Sequence, residues 1–210
     1  GKCSKVIGGY DFVNNDNDPF DDNGHGTHIA GIIASTDSKI RGIAPGANIV
    51  SIKIFNESGE GDSDDLISAI DWCVNSASNF NISVISMSLG SDELFYSHCD
   101  IDDPLLTSSI ANAIDKKITV VAAAGNSGNF KGVSSPACIT NVIAVGSSAK
   151  NDEISSFSDK WKLPMLFAPG DNIISTVPDG DCALCEPSGY KIFSGTSMAA
   201  PHVAAAAALL

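Results

Sequence analysis

Short apolar runs alternate along this chain with helix-length segments whose apolar residues recur three and four positions apart, and that alternation restricts the fold more than any other feature. Parallel strands need crossover connections, usually helices, so the pattern predicts an α/β protein with a mostly parallel sheet. Strands are expected near Asn48 to Phe55, Ile82 to Ser86, Ile118 to Ala123 and Asn141 to Val145. Between them, Asp62 to Asn79 carries Leu66, Ile70, Cys73, Val74 and Ala77 on one face, behind an Asp and Ser cluster suited to capping. Asp103 to Lys117 reads as a second helix, with Pro104 in its first turn and Leu105, Ile110 and Ile114 inward. Beyond Val145 come short β segments, a hairpin returning through Tyr190 to Phe193, and a last helix from near Thr196.

The 210 residues are 43% hydrophobic, enough for a single domain, residues 1–210, with a sizeable core. A formal charge of −13 repels phosphate backbones and anionic lipid, which excludes nucleic acid as a partner. No apolar stretch is long enough to span a bilayer, and no basic segment followed by an apolar run reads as a signal peptide. Six cysteines (Cys3, Cys73, Cys99, Cys138, Cys182 and Cys185) leave their pairing open. Together with N-x-[ST] sequons at Asn56 and Asn81, they point to an exported protein with at least one disulfide. Cys182-Ala183-Leu184-Cys185 reads as a stapled or reduced surface hairpin, because no second C-x-x-C pair completes a zinc site.

Four segments carry chemistry. In Gly195-Thr196-Ser197-Met198-Ala199 a serine stands in the first turn of a helix, where free N–H groups and the helix dipole surround its hydroxyl. An ordinary capping serine is the bland alternative. In Gly24-His25-Gly26-Thr27-His28 two histidines enter a helix, and without the Glu of H-E-x-x-H they do not make a zinc pair. His28 is read as a satisfied core histidine. Val120 to Ser127 is a buried small-residue strand ending in Gly125 and Asn126, whose amide suits an oxyanion. Ser86-Met87-Ser88-Leu89-Gly90 likewise ends a strand with a small segment open to pairing with extended peptide.

GHGTHIAG, SMSLG, AAAGNSG and GTSMAAPHVA occur in an order and spacing that resemble the subtilisin family of serine peptidases (peptidase S8, thermitase-like members), over essentially the whole chain. The resemblance implies a three-layer fold, a mostly parallel sheet with helices on both faces, and a monomeric endopeptidase acting outside the cell or at its surface on protein or peptide substrates. Ser197 would be the nucleophile, His25 the general base and Asn126 the oxyanion donor. Ser88, Leu89 and Gly90, with Ala123, Ala124 and Gly125, would form the two walls that hold substrate. An inhibitory propeptide is a further partner of such an enzyme. The rival from another class is a catalytically inactive peptide-binding pseudoprotease; a nucleotide-binding protein is excluded by the lack of G-x-G-x-x-G.

Family members carry their catalytic aspartate in D-[ST]-G some thirty residues before the histidine motif, and no D-[ST]-G occurs here. The expectation is therefore a piece lacking the first catalytic strand and the terminal helices. Residues 9–22 concentrate oxygen ligands of the kind Ca²⁺ requires, with a solvated acidic turn as the bland alternative. Thermitase-like members bind calcium with a D-F-V-[DN]-x-D loop, and that resemblance implies Asp11, Asn14, Asp16 and Asp18 as ligands, with Asp21 as a further one. Asp21 and Asp22, just before His25, also suggest a preference for basic substrates.

Overall fold

The computed structural model describes residues 5–210, so Cys3 lies outside the described residues. In chain order the elements are β1 (Val6–Asp11), α1 (His25–Ala34), β2 (Ile49–Lys53), α2 (Ser63–Phe80), β3 (Val84–Met87), β4 (Leu94–Phe95) and α3 (Pro104–Asp115). They continue as β5 (Thr119–Ala123), β6 (Val133–Ser134), β7 (Ile143–Ser148), β8 (Leu166–Pro169), β9 (Ile173–Thr176), β10 (Tyr190–Phe193) and α4 (Thr196–Ala207). Two compact units divide the chain, one of residues up to Ile82 with Ile174–Lys191, the other of Ser83–Ile173 with Ile192–Leu210.

In the first unit β1 pairs with β2 in parallel, from Val6 opposite Ile49 to Asp11 opposite Lys53. α2 opens on Asp62, whose side chain accepts the Asp64 N–H, and closes on Asn81 in the left-handed conformation (φ 54°). Ala69, Ile70 and Cys73 form its buried stripe, and Trp72 stacks between the rings of Tyr10 and Phe80. α1 lies close against β9. Ser175 Oγ donates to the His28 carbonyl (2.8 Å) and Thr176 Oγ1 to that of Thr27 (3.1 Å). A side-chain carbon at Gly31 would collide with both hydroxyls, which is why that helical position is glycine.

The second unit is built on a four-stranded parallel sheet in the order β3-β5-β7-β8. Successive side chains alternate between its faces. Val121, Ala123, Val145 and Ala168 pack against Ala199, Ala200 and Ala204 of α4. Val120, Ala122 and Ala144 point the other way and are also buried, and α3 packs on β5. Alanines on α4 let the helix approach the sheet closely. α3 starts as expected, with Pro104 in its first turn and Asp103 accepting the Leu106 N–H (3.0 Å). The expected inward Leu105 is corrected: it is 68% exposed, and Leu106 at 3% takes the buried place. Leu106, Ile110 and Ala113, spaced four and three apart, form the stripe, and Leu105 falls about 100° off it. β4 and β6 pair antiparallel, and the Cys99–Cys138 disulfide ties residues 39 apart. Among the described residues Cys73 is a free thiol, pushed up to about 12 by burial.

Candidate active site

β3 and β5 are neighbours in register, Met87 opposite Ala122, and both sequence-predicted walls leave the carboxyl ends of these two strands. Such ends are where open α/β sheets bind ligands. Ser88, Leu89 and Gly90 continue from β3; Ala123 closes β5, and Ala124 and Gly125 follow. Ser134 stands between the two segments. Its N–H donates to the Ala124 carbonyl (2.9 Å), and its Oγ occupies the space a side chain at Gly90 would need.

Gly125 turns the chain with φ +114°, which leaves Asn126 exposed. The Asn126 Oδ1 accepts the Thr196 N–H (2.8 Å) and the Thr196 hydroxyl (3.1 Å), and the Gly125 N–H donates to that same hydroxyl (3.2 Å). With the amide oxygen committed to Thr196, the Nδ2 donors are left for another acceptor. Ser197 is the next residue, half-buried in the first turn of α4, where helical N–H groups lack intrahelical acceptors. Ser88 Oγ donates to the Ser197 carbonyl (2.8 Å), and the Ser197 hydroxyl reaches the Ser88 carbonyl at 3.4 Å. That second contact is long for an O–H···O bond, so it restrains the hydroxyl weakly. Ser197, Asn126 and the Ser88 wall thus come together in one unit, at the positive end of a helix.

His25 begins α1 in the other unit, after Gly24 in the left-handed conformation (φ +107°). Gly24 offers no side chain to cap the helix, and Asp21 does so instead. Its Oδ1 accepts the N–H groups of Asn23 (3.2 Å) and Gly24 (2.8 Å), and its Oδ2 accepts the N–H (2.7 Å) and hydroxyl (2.6 Å) of Thr27. Burial lowers the His25 pKa below the ordinary imidazole value of 6.5, with the Asp21 charge pulling partway back. The ring is therefore neutral at pH 7 and able to accept a proton. The Cys182–Cys185 disulfide staples a loop behind this helix start: the Leu184 N–H donates to the Asn23 carbonyl (2.9 Å). His28 is buried, its Nε2 within 3.1 Å of the Lys191 carbonyl.

In the acidic loop Asp11 is buried at the end of β1, its backbone paired with that of Asp16 in both directions. Its Oδ1 accepts the Asn14 N–H and its Oδ2 the Asn14 Nδ2 (2.9 Å each), with Lys53 Nζ 3.5 Å away. Burial alone would raise the Asp11 pKa; the Asn14 hydrogen bonds and the Lys53 charge outweigh it and hold the carboxyl low. Asp16 Oδ1 accepts the Asp18 N–H (2.8 Å), and both side chains are exposed. The exposed oxygens of Asp16 and Asp18 and the Asn14 side-chain carbonyl suit a hard cation, whereas both Asp11 oxygens already accept from Asn14 beside Lys53, and among the described residues no three acidic, His or Cys side chains converge to hold one. Asp21 leaves the set, since its oxygens already accept four protein donors. The suggested basic preference loses its footing too, because Asp21 is occupied and Asp22 pairs with Lys53 (3.2 Å).

Sequence reasoning missed Thr196 and the capping role of Asp21. An Asp ahead of a helix start was the available signal for Asp21; nothing local marked Thr196, whose partner lies 70 positions away.

The sequence model of the Subtilase family matches residues 2–210. A thermophilic serine proteinase of Bacillus sp. (strain AK1) is 40% identical over 98% of this chain, which spans 47% of that relative. Thermitase of Thermoactinomyces vulgaris is 40% identical over 99% of the chain, which covers 68% of it. A crystal structure of a cold-adapted subtilisin-like serine proteinase superposes with a TM-score of 0.80 at 39% identity, covering 98% of this chain and 67% of that one. The family match extends across both compact units and all four chemical motifs, and on that ground the chain belongs to the subtilase family.

Proposed function

We propose that the protein is a serine endopeptidase in which Ser197 attacks the peptide carbonyl, His25 takes its proton and returns it to the leaving amine, and water completes hydrolysis. The observation that carries this reading is the Asn126–Thr196–Ser197 arrangement. The amide oxygen is held by Thr196, the residue before Ser197, which leaves the Nδ2 donors uncommitted, and the serine hydroxyl at the helix N-terminus is only weakly restrained. Asn126 Nδ2 and the Ser197 N–H are the proposed oxyanion donors. The neutral His25 supports its role as base. Asp21 anchors the helix rather than the imidazole, and the D-[ST]-G motif that carries the aspartate partner of the histidine in the family does not occur in this sequence. Extended peptide would pair with Ser88, Leu89 and Gly90, and Ala123, Ala124 and Gly125, whose backbone groups are already hydrogen-bonded within their unit, would frame the pocket for a substrate side chain.

A calcium ion would be held in this loop by the oxygens of Asn14, Asp16 and Asp18, with Asp11 joining only by giving up its Asn14 and Lys53 partners, and it would neutralise crowded carboxylates ahead of α1. A secreted or cell-surface setting is supported by the two disulfides. The test is peptide hydrolysis by the full-length protein and its Asn126→Ala variant. The variant should lose ~10²–10³ in kcat, a general figure for one oxyanion donor that itself comes from a subtilisin. Peptide binding without turnover would replace this reading with the inactive peptide-binding one.

A further inference from the structure

Asp159 is 1% exposed, and one of its carboxylate oxygens, Oδ2, is buried without a hydrogen-bond partner. Buried polar atoms are seldom left so, and an orphan of this kind calls for a reason. The other oxygen is doubly bonded: Oδ1 accepts the Ser127 hydroxyl and the Asn129 N–H, each at 2.6 Å. The Asp159 N–H donates to the Gly125 carbonyl (3.0 Å), and the orphan Oδ2 rests against Gly125 where any side chain would collide with it. Two further bonds run alongside, Gly128 N–H to Phe157 O and Lys160 N–H to Asn129 O, both 2.8 Å. One buried residue therefore holds residues 125, 127 and 129, the first through its backbone N–H and the other two through its carboxylate, on both sides of Asn126, while Asn126 itself is exposed. Gly125, with φ +114° and Asp159 Oδ2 where a Cβ would have to lie, stands at a position that a larger residue does not fit.

We infer that Asp159 is a positioning residue for the oxyanion donor: it fixes the backbone of residues 125–129 so that the Asn126 amide is delivered to Thr196 and Ser197 in one orientation. This rests on the proposed peptidase reading. The role is geometric, exerted through accepted hydrogen bonds and packing, not through charge on the reacting atoms. An amide in place of the carboxylate keeps an acceptor for Ser127 and Asn129; a methyl group does not.

The experiment measures kcat, KM and Tm for the full-length protease and its Asp159→Ala, Asp159→Asn, Ser127→Ala and Asn126→Ala variants, and for Asp159→Ala and Ser127→Ala combined with Asn126→Ala. Asp159→Ala should lower kcat by about 10–100-fold with KM within about threefold, the size expected of a displaced catalytic group. Asp159→Asn should restore kcat to within about threefold, and Asp159→Ala should cost less than about threefold once Asn126 is already alanine. Ser127→Ala, which leaves the Asn129 N–H on the Asp159 carboxylate, should lower kcat by about threefold with a smaller fall in Tm than Asp159→Ala, and should not lower kcat at all in the Asn126→Ala background; that pair decides the matter if Asp159→Ala does not fold. Unchanged kcat in Asp159→Ala or in Ser127→Ala, equal losses with and without the Asn126 amide, or no rescue by asparagine overturns the inference. A wild-type protein that turns over no peptide overturns instead the peptidase reading, and this inference with it.

Discussion

Asn126 and Thr196, 70 positions apart, are joined by two hydrogen bonds into one oxygen: the Thr196 N–H at 2.8 Å and its hydroxyl at 3.1 Å both reach the Asn126 Oδ1. The hydroxyl also accepts the Gly125 N–H, so it links the turn to the side chain that the turn presents. Thr196→Val keeps the shape and removes the hydroxyl. Because the backbone bond to Asn126 remains, the variant should lose kcat by about tenfold with KM nearly unchanged, and Thr196→Ser should retain most activity. Steady-state kinetics of the full-length protein check this; equal losses in both variants would assign the effect to packing.

The start of α1 depends on Asp21, which serves four donors where Gly24 can serve none. Asp21→Ala should destabilise by about 1–2 kcal/mol, the upper part of the range for a lost cap, and Asp21→Asn by less. Thermal or denaturant unfolding gives the number. Faster amide exchange at Thr27 in the alanine variant would locate the loss at this helix end.

Much of the second unit, and helix α2 of the first, was legible because the signals are local. Strands β5 and β7 are apolar runs bounded by turn residues, and α2 and α3 carry capping aspartates at Asp62 and Asp103. β1 was not legible: Gly8 and Gly9 break the apolar pattern, and the strand exists because it pairs with β2 some forty positions on. Leu105 was misplaced by one position, an error that a helix turns into about 100° of rotation. At the site, the motifs marked Ser197, His25 and Asn126, whereas Thr196, Asp21 and Asp159 act through partners distant in sequence or through backbone bonds that no motif records.

Stability should depend on pH through the histidines. Burial lowers the pKa of His25, against the Asp21 charge, and of His202, against its hydrogen bond to the Met198 carbonyl (2.8 Å). The unfolded chain then binds more protons than the folded one around pH 6.5, so this contribution is fully present above that value and is lost as pH falls below it. Going from pH 7.5 to 5.5, the Tm of His202→Gln should fall less than that of the unaltered protein. An equal or steeper fall would contradict the assignment.

Calcium should stabilise the loop from Asp11 to Asp18 rather than take part in hydrolysis. Chelation should lower Tm, and a hundredfold excess of calcium over Kd should add about 2.7 kcal/mol, because the ion binds the folded loop and hardly at all the unfolded chain. Asp16→Ala should blunt that response while Ser197 stays reactive. Melting indifferent to millimolar calcium and to a chelator leaves the loop a solvated turn held by Asn14 and Lys53.

The central claim is that Ser197 is a nucleophile activated by His25, and the rate of its modification by a fluorophosphonate in the full-length protein tests it most directly. The account predicts a single label on Ser197 by peptide mapping, no label in Ser197→Ala, and a rate slowed by about 10³-fold or more in a folded His25→Ala variant. A folded protein that leaves Ser197 unlabelled, or a His25→Ala variant labelled at the unaltered rate, would contradict it.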